Sequence, residues 1–336
     1  MNALYVVIAI IAISVLLVAH EYGHYLVAKR LHYEVTGFGV GFGPVIYKRK
    51  HGETEFRLGI IPFGAYVEVP AMDGQGASII RPLHKVAIAV AGPLMNFVLA
   101  FIIIFVVLIA GNPTEPSTTI ASIVPNSPAS QVLQVGDKIL QIDGQNVADY
   151  SQFQQTISKK NVGEPVELLI QRDNQQLKVR LTVENISYDG QKFVGIGITA
   201  APKKYSPVDA FVKSFSEVWL MIEQLWQGLI LLVTRPKTTE VMGIIGITAT
   251  MATFARSNFV VFLYLVSLIS ANLGFVNLIP FPALDGSLIL TGLVESVIGK
   301  PLPQSWINVI NAIGFVFLMG LMVYVSFLDV GRLIGL

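Results

Sequence analysis

The chain has 336 residues, of which 53% are hydrophobic and 13% charged, and its formal net charge is +1. Soluble domains carry about 25% charged residues, so this is the composition of a membrane protein with a smaller polar portion, and its near-neutral charge argues against a nucleic-acid binder. With no cysteine, disulfides, thiolate catalysis and cysteine-ligated zinc are excluded.

Residues 3–28 form the first predicted transmembrane helix, longer than the roughly 20 residues a bilayer requires. The stretch has no basic n-region and no small-residue cleavage site after it, so it reads as a retained span rather than a signal peptide. Within it lie His20-Glu21-Tyr22-Gly23-His24. Ionisable groups at such depth are costly and are functional by default. Residues four apart share a helix face, so His20 and His24 can offer two imidazole nitrogens to one metal ion. Glu21 lies about 100° around the helix, placed to take a proton from an activated water.

Lys29, Arg30, Lys48, Arg49, Lys50, Arg57, Arg81 and Lys85 crowd the loop before the next span. The positive-inside rule then sets residues 29–85 in the cytoplasm and the N-terminus outside. Gly37–Pro44 and Ile61–Val69 carry strand-and-turn chemistry unsuited to helix. The second span is 86–110, and it sends residues 112–200 out across the membrane. Those residues hold five strand-like stretches: 120–124, 138–142, 166–171, 178–183 and 193–199. A turn is expected at Asp143-Gly144, and a short helix can open at Pro125–Ala129.

Residues 211–233 are apolar but interrupted by Lys213, Glu217 and Glu223, with Trp219 and Trp226 as interfacial anchors; a helix lying on the membrane surface is expected. Residues 241–254 are too short and glycine-broken to span. The third and fourth spans are 259–280 and 306–328.

Two histidines and a water leave a catalytic zinc one protein ligand short. Asp285 is the candidate, in the run Asn277 to Gly286, where Pro280 and Pro282 stop the third span in irregular backbone. Near a membrane such backbone survives only when protein or a water-filled cavity shields it. In a serial four-span bundle the first and third spans run in the same direction. Both His20/His24 and Asp285 therefore fall toward the cytoplasmic side. Asn277 lies close enough along the chain for its amide to bond a substrate backbone or oxyanion. Asn96 and Asn272 are read as interhelical hydrogen-bonding residues, and His32, His51 and His84 as solvated.

These motifs, together with Ala91-Gly92-Pro93-Leu94-Met95-Asn96-Phe97, resemble the site-2 protease family of intramembrane zinc metalloproteases, in the bacterial branch with an inserted PDZ domain. Phe63-Gly64-Ala65-Tyr66 replaces the family's usual Leu-Gly-Gly-Tyr, and Gly243–Ile247 lacks its proline. The resemblance implies a polytopic α-helical membrane protein of about four transmembrane helices, a membrane-associated β-hairpin and an inserted α+β PDZ domain. It divides the chain at 1–111, 112–200, 201–257 and 258–336. It implies Zn²⁺ held by His20, His24 and Asp285, with Glu21 as catalytic base and Asn277 on the substrate backbone. Gly64, Ala65 and Tyr66 would belong to a hairpin edge that adds the substrate as a strand.

Val124–Ala129 and Val135–Gly144 resemble bacterial PDZ domains, with Gly195 and Gly197 on the peptide-binding edge. Such a domain would bind a peptide or protein ligand, or act as a size filter. The implied substrates are single-pass transmembrane proteins, met in the lipid bilayer of a bacterial inner membrane. Two other readings are a non-catalytic PDZ scaffold with a structural zinc and a metal transporter. Glu21 favours the enzyme, since a structural site needs no base.

Overall fold

The computed structural model describes residues 2–73, 80–188, 191–235 and 242–334. Two compact units form, one from residues 1–106 with 211–336 and the other from 107–210.

The first unit begins with α1 (Ala3–Arg30), capped by the Asn2 side chain on the Leu4 amide and closed by Lys29 and Arg30 in its last turn. Strands β1 (Gly37–His51) and β2 (Thr54–Glu68) follow, and they fold back on themselves. Gly37–Val40 pairs both with Glu55–Leu58 and with Ala65–Glu68, while residues 45–51 pair with 54–59. Two strands thus make four segments in the order 45–51, 54–59, 37–42, 61–68. The register of the middle pair is parallel, since Gly37 to Val40 face Glu55 to Leu58 in the same chain direction, and the two outer pairs are antiparallel. Phe42 and Ile61 sit opposite each other where both strands bend. There Gly64 has a positive φ of 92°, and an added Cβ would meet the Phe42 ring. Phe42, Val45, Ile46, Ile60 and Ile61 are exposed, an apolar end suited to lipid.

Helix α2 (Pro82–Ala110) opens on a proline, which costs nothing at a first helical position. Its buried Lys85 pairs with Glu295, 3.3 Å away and also buried. That charge explains why a hydropathy reading starts the span four residues late.

The second unit runs through β3 (Asn112–Ile123), α3 (Ala129–Val132), β4 (Lys138–Ile142), β5 (Gln145–Asn146), α4 (Tyr150–Ser158), β6 (Pro165–Arg172), β7 (Gln175–Thr182), β8 (Glu184–Tyr188), β9 (Gln191–Gly195) and β10 (Ile198–Lys203). The sheet order is β10-β3-β4-β6-β7, with β5 on β4 and β8 on β9 as a separate ribbon. Ile139, Ile142, Phe153, Leu168, Ile170 and Ile196 lie in its core. Asp143 (φ 49°) and Gly144 (φ 79°) turn β4 into β5 as expected, since this hairpin turn needs positive φ at both central residues. The expected 193–199 strand breaks instead at Gly197 (φ 85°), giving β9 and β10.

Helix α5 is Pro207–Thr234. It exposes Phe211, Val212, Phe215 and Trp219 while burying Ser214 and Glu217. This is the reverse of the patterning of a helix in water. Helix α6 (Ile244–Ser257) takes up most of the short apolar stretch; Val241, the first residue of that stretch, lies outside the described residues. Helix α7 (Phe259–Leu278) ends before Pro280, and α8 (Asp285–Ile298) starts after an irregular turn in which Ala283 has φ 70°. An added Cβ on Gly286 would lie 2.0 Å from the Ile279 carbonyl, so only glycine lets the chain fold back so tightly. Helix α9 (Gln304–Ile334) carries buried Asp329, which accepts from the Gly243 and Gly246 amides at 3.2 and 2.8 Å and so caps α6. Among the described residues four helices, α1, α2, α7 and α9, are long and apolar enough to cross a membrane.

Candidate functional site

The α1 heptad around residue 20 must pack closely on α2 for its histidines to be buried. Small residues permit this: an added Cβ on Gly23 would lie 2.2 Å from the Ala91 carbonyl. His20 and His24 are then 6% and 7% exposed. Asp285, the first residue of α8, reaches them from the other side, where the helix N-terminus favours a carboxylate. Lys85 and Glu295 tie that same helix to α2.

The three candidate ligand atoms form a near-equilateral triangle. His20 Nε2 is 3.0 Å from Asp285 Oδ2, His24 Nε2 is 3.3 Å from it, and the two Nε2 atoms are 3.3 Å apart. A tetrahedral zinc with ligands at about 2.0–2.1 Å sets its donors about 3.3–3.4 Å apart. Asp285 Oδ2 is buried without a hydrogen-bond partner, the state expected of an atom whose natural partner is an ion. The residues fit zinc. Among the described residues this is the one cluster able to hold a metal.

The ring orientation of His24 is set from α2. Its Nδ1 lies 2.7 Å from the Ile88 carbonyl, which can only accept, so Nδ1 carries the hydrogen and Nε2 keeps its lone pair. Gly92 makes room for both rings: an added Cβ would lie 2.2 Å from His24 Nε2 and 2.9 Å from His20 Cε1. Gly92→Ala should therefore displace an imidazole and lower zinc content in a protein that still inserts. Metal analysis of the purified variant checks this, and normal zinc stoichiometry would contradict it.

Glu21 shares a cavity of about 180 Å³ with His24 and Asp285, walled by Val67, Val69, Met72, Ile88 and Leu288. The Val67 backbone amide faces the Glu21 carboxylate. The last segment of β2 therefore borders the cluster. Its outer edge has no strand partner among the described residues.

The other sequence candidates lie apart from this cavity's lining. Tyr66 stacks on Phe42 and meets Arg57, on the sheet face opposite Val67. Gly64 and Ala65 precede it in the bend. Asn277 sits half-buried in the last turn of α7. Gly195 and Gly197 line a separate cavity of about 410 Å³ with Tyr150, Phe153 and Ile157 of α4. Composition and spacing did not single out Gly92 or Asn96 for the metal centre; their one signal was the interruption of an apolar span by Gly-Pro and an amide.

A family model described as peptidase family M50 matches residues 8–321. The chain belongs to peptidase family M50. This is the site-2 protease family that its motifs resemble, and the helices make this member a multi-pass membrane protein. A Clostridium perfringens protein named "Putative zinc metalloprotease" is 34% identical over 97% of this chain and 98% of its own length. Zinc metalloprotease RasP of Geobacillus kaustophilus is 25% identical over 96% of this chain and 97% of its own. Among solved structures, the PDZ domain of an SdrC-like protein from Listeria monocytogenes is similar at 29% identity. It covers 26% of this chain and 90% of that chain, with a TM-score of 0.23.

Proposed function

We propose that this family M50 member is an intramembrane zinc endopeptidase that cuts the transmembrane segments of single-pass membrane proteins. The observation that carries the reading is a three-donor triangle closed across α1 and α8, with a carboxylate in the same cavity, inside an apolar helix long enough to span. His20, His24 and Asp285 hold the ion. Bound zinc supplies Lewis acidity toward a carbonyl oxygen and acidifies a water. Glu21 takes the proton of the attacking water on its carboxylate oxygen and later delivers it to the leaving amine nitrogen.

A helical substrate must unwind before its backbone is accessible, and the freed groups need partners. The open edge of residues 61–68 supplies them by strand addition, with Gly64, Ala65 and Tyr66 acting through their main chain. Val67 and Val69 then bring the paired segment toward the cavity. The Asn277 amide adds a bond to substrate backbone. The groove at Gly195 and Gly197 takes an extended peptide or protein segment.

Stripping zinc from the full chain in liposomes should abolish cleavage of a single-pass substrate, and zinc alone should restore it. Cleavage that survives a chelator would refute the reading. The basic residues of 29–85 support a topology with that loop on the cytoplasmic side of a bacterial inner membrane and the N-terminus and residues 112–200 outside. Single cysteines at Lys48 and Ser151 should then label from opposite sides. Both reacting with an impermeant reagent on intact cells would reverse this orientation.

A further inference from the structure

We propose that Asn96 is a positioning residue of the metal centre: its side-chain oxygen accepts a hydrogen bond from His20 Nδ1 and holds the His20 Nε2 lone pair toward the ion. The inference rests on the reading that His20, His24 and Asp285 bind zinc.

Asn96 is fully buried on α2, and its amide nitrogen lies 2.9 Å from His20 Nδ1. As placed, the amide leaves Oδ1 buried without a partner. The two ends of a carboxamide have the same shape, so chemistry decides which faces the ring. An imidazole that gives Nε2 to a metal carries its hydrogen on Nδ1. An NH₂ facing that N–H would oppose two donors. Turned by 180°, the amide presents Oδ1 at the same 2.9 Å and becomes the acceptor the ring needs.

The arrangement repeats what is fixed at His24. Ile88, Gly92 and Asn96 stand at i, i+4 and i+8 and so share one face of α2. The Ile88 carbonyl accepts from His24 Nδ1, Gly92 leaves space for both rings, and Asn96 meets His20 Nδ1. One helix face thus orients both imidazoles. Asn96 is in turn held from behind: Ser270 of α7 donates to its main-chain oxygen at 2.8 Å. An added Cβ on Gly274 would meet the Asn96 Cβ at 3.3 Å.

Interhelical adhesion alone would need packing and some hydrogen bond, whereas positioning needs an acceptor at that spot. Asn96→Leu keeps the bulk and loses the acceptor; Asn96→Asp keeps an acceptor. Zinc affinity of purified full-length protein, measured by chelator competition, should fall about 10–100-fold in Asn96→Leu. In Asn96→Asp it should stay within about threefold of the parent or tighten, as other carboxylate–histidine–zinc arrangements do. Leucine and parent affinities within about threefold, or equal losses in both variants, would overturn the proposal.

A second measurement needs no variant. With only five histidines in the chain, ¹⁵N-histidine spectra of the zinc-loaded parent should show His20 Nδ1 protonated, and an unprotonated Nδ1 would overturn the proposal. A parent that binds no zinc would instead overturn the underlying metal-site reading, and this proposal with it.

Discussion

Glu21→Gln should leave zinc bound and lower turnover by about 10²–10⁴-fold, the usual contribution of a general base. The substitution is nearly isosteric, and a glutamine Oε1 can accept from the Val67 amide that Glu21 faces. The side chain therefore stays in the cavity with His24 and Asp285. What disappears is the capacity to take a proton from water and return it to the leaving amine. Zinc content and cleavage rate of variant and parent are the measurements. Activity within about tenfold of the parent, at equal zinc, would remove Glu21 from the base role.

Asp285→Ala should weaken zinc binding by more than the about 10–100-fold typical of losing an outer partner, because a donor itself is gone. His20 and His24 remain oriented from α2, so the deficit falls on the metal rather than on the fold. Losing a carboxylate from the first turn of α8 costs about 0.3–1 kcal/mol through the helix dipole, too little to unfold the unit. Activity should fall with zinc occupancy. Normal stoichiometry with an unchanged X-ray absorption spectrum would put the third ligand elsewhere.

The four long helices were legible because twenty-odd apolar residues in a row have few other stable settings in a membrane. Spacing likewise exposed His20, Glu21 and His24, since residues four apart on a helix meet whatever else the fold does. Asp285 could be found by counting spans, because that fixes only the side on which it emerges. Helix α8 was hidden: its fourteen residues are too few to span, and its end is marked only by Gly299 in a left-handed conformation.

The doubling of β1 and β2 was hidden for a different reason. Residues 37–40 pair with two segments at once, and local strand chemistry gives no register between segments distant in sequence. Gly197 within an expected strand was an available signal for the break between β9 and β10. The roles of Gly92 and Asn96 depend on how closely α1 crosses α2, a tertiary quantity that no spacing along α2 records.

The most direct test of an intramembrane zinc site is the position of the bond it cuts. Full-length protein, zinc-loaded or zinc-stripped, would be incubated in liposomes with a single-pass substrate and the products mapped by mass spectrometry. The expected result is one zinc per chain and a cut within the substrate's hydrophobic segment, seen only with zinc. A cut confined to the substrate's soluble flanks, or the same cut without zinc, would contradict it.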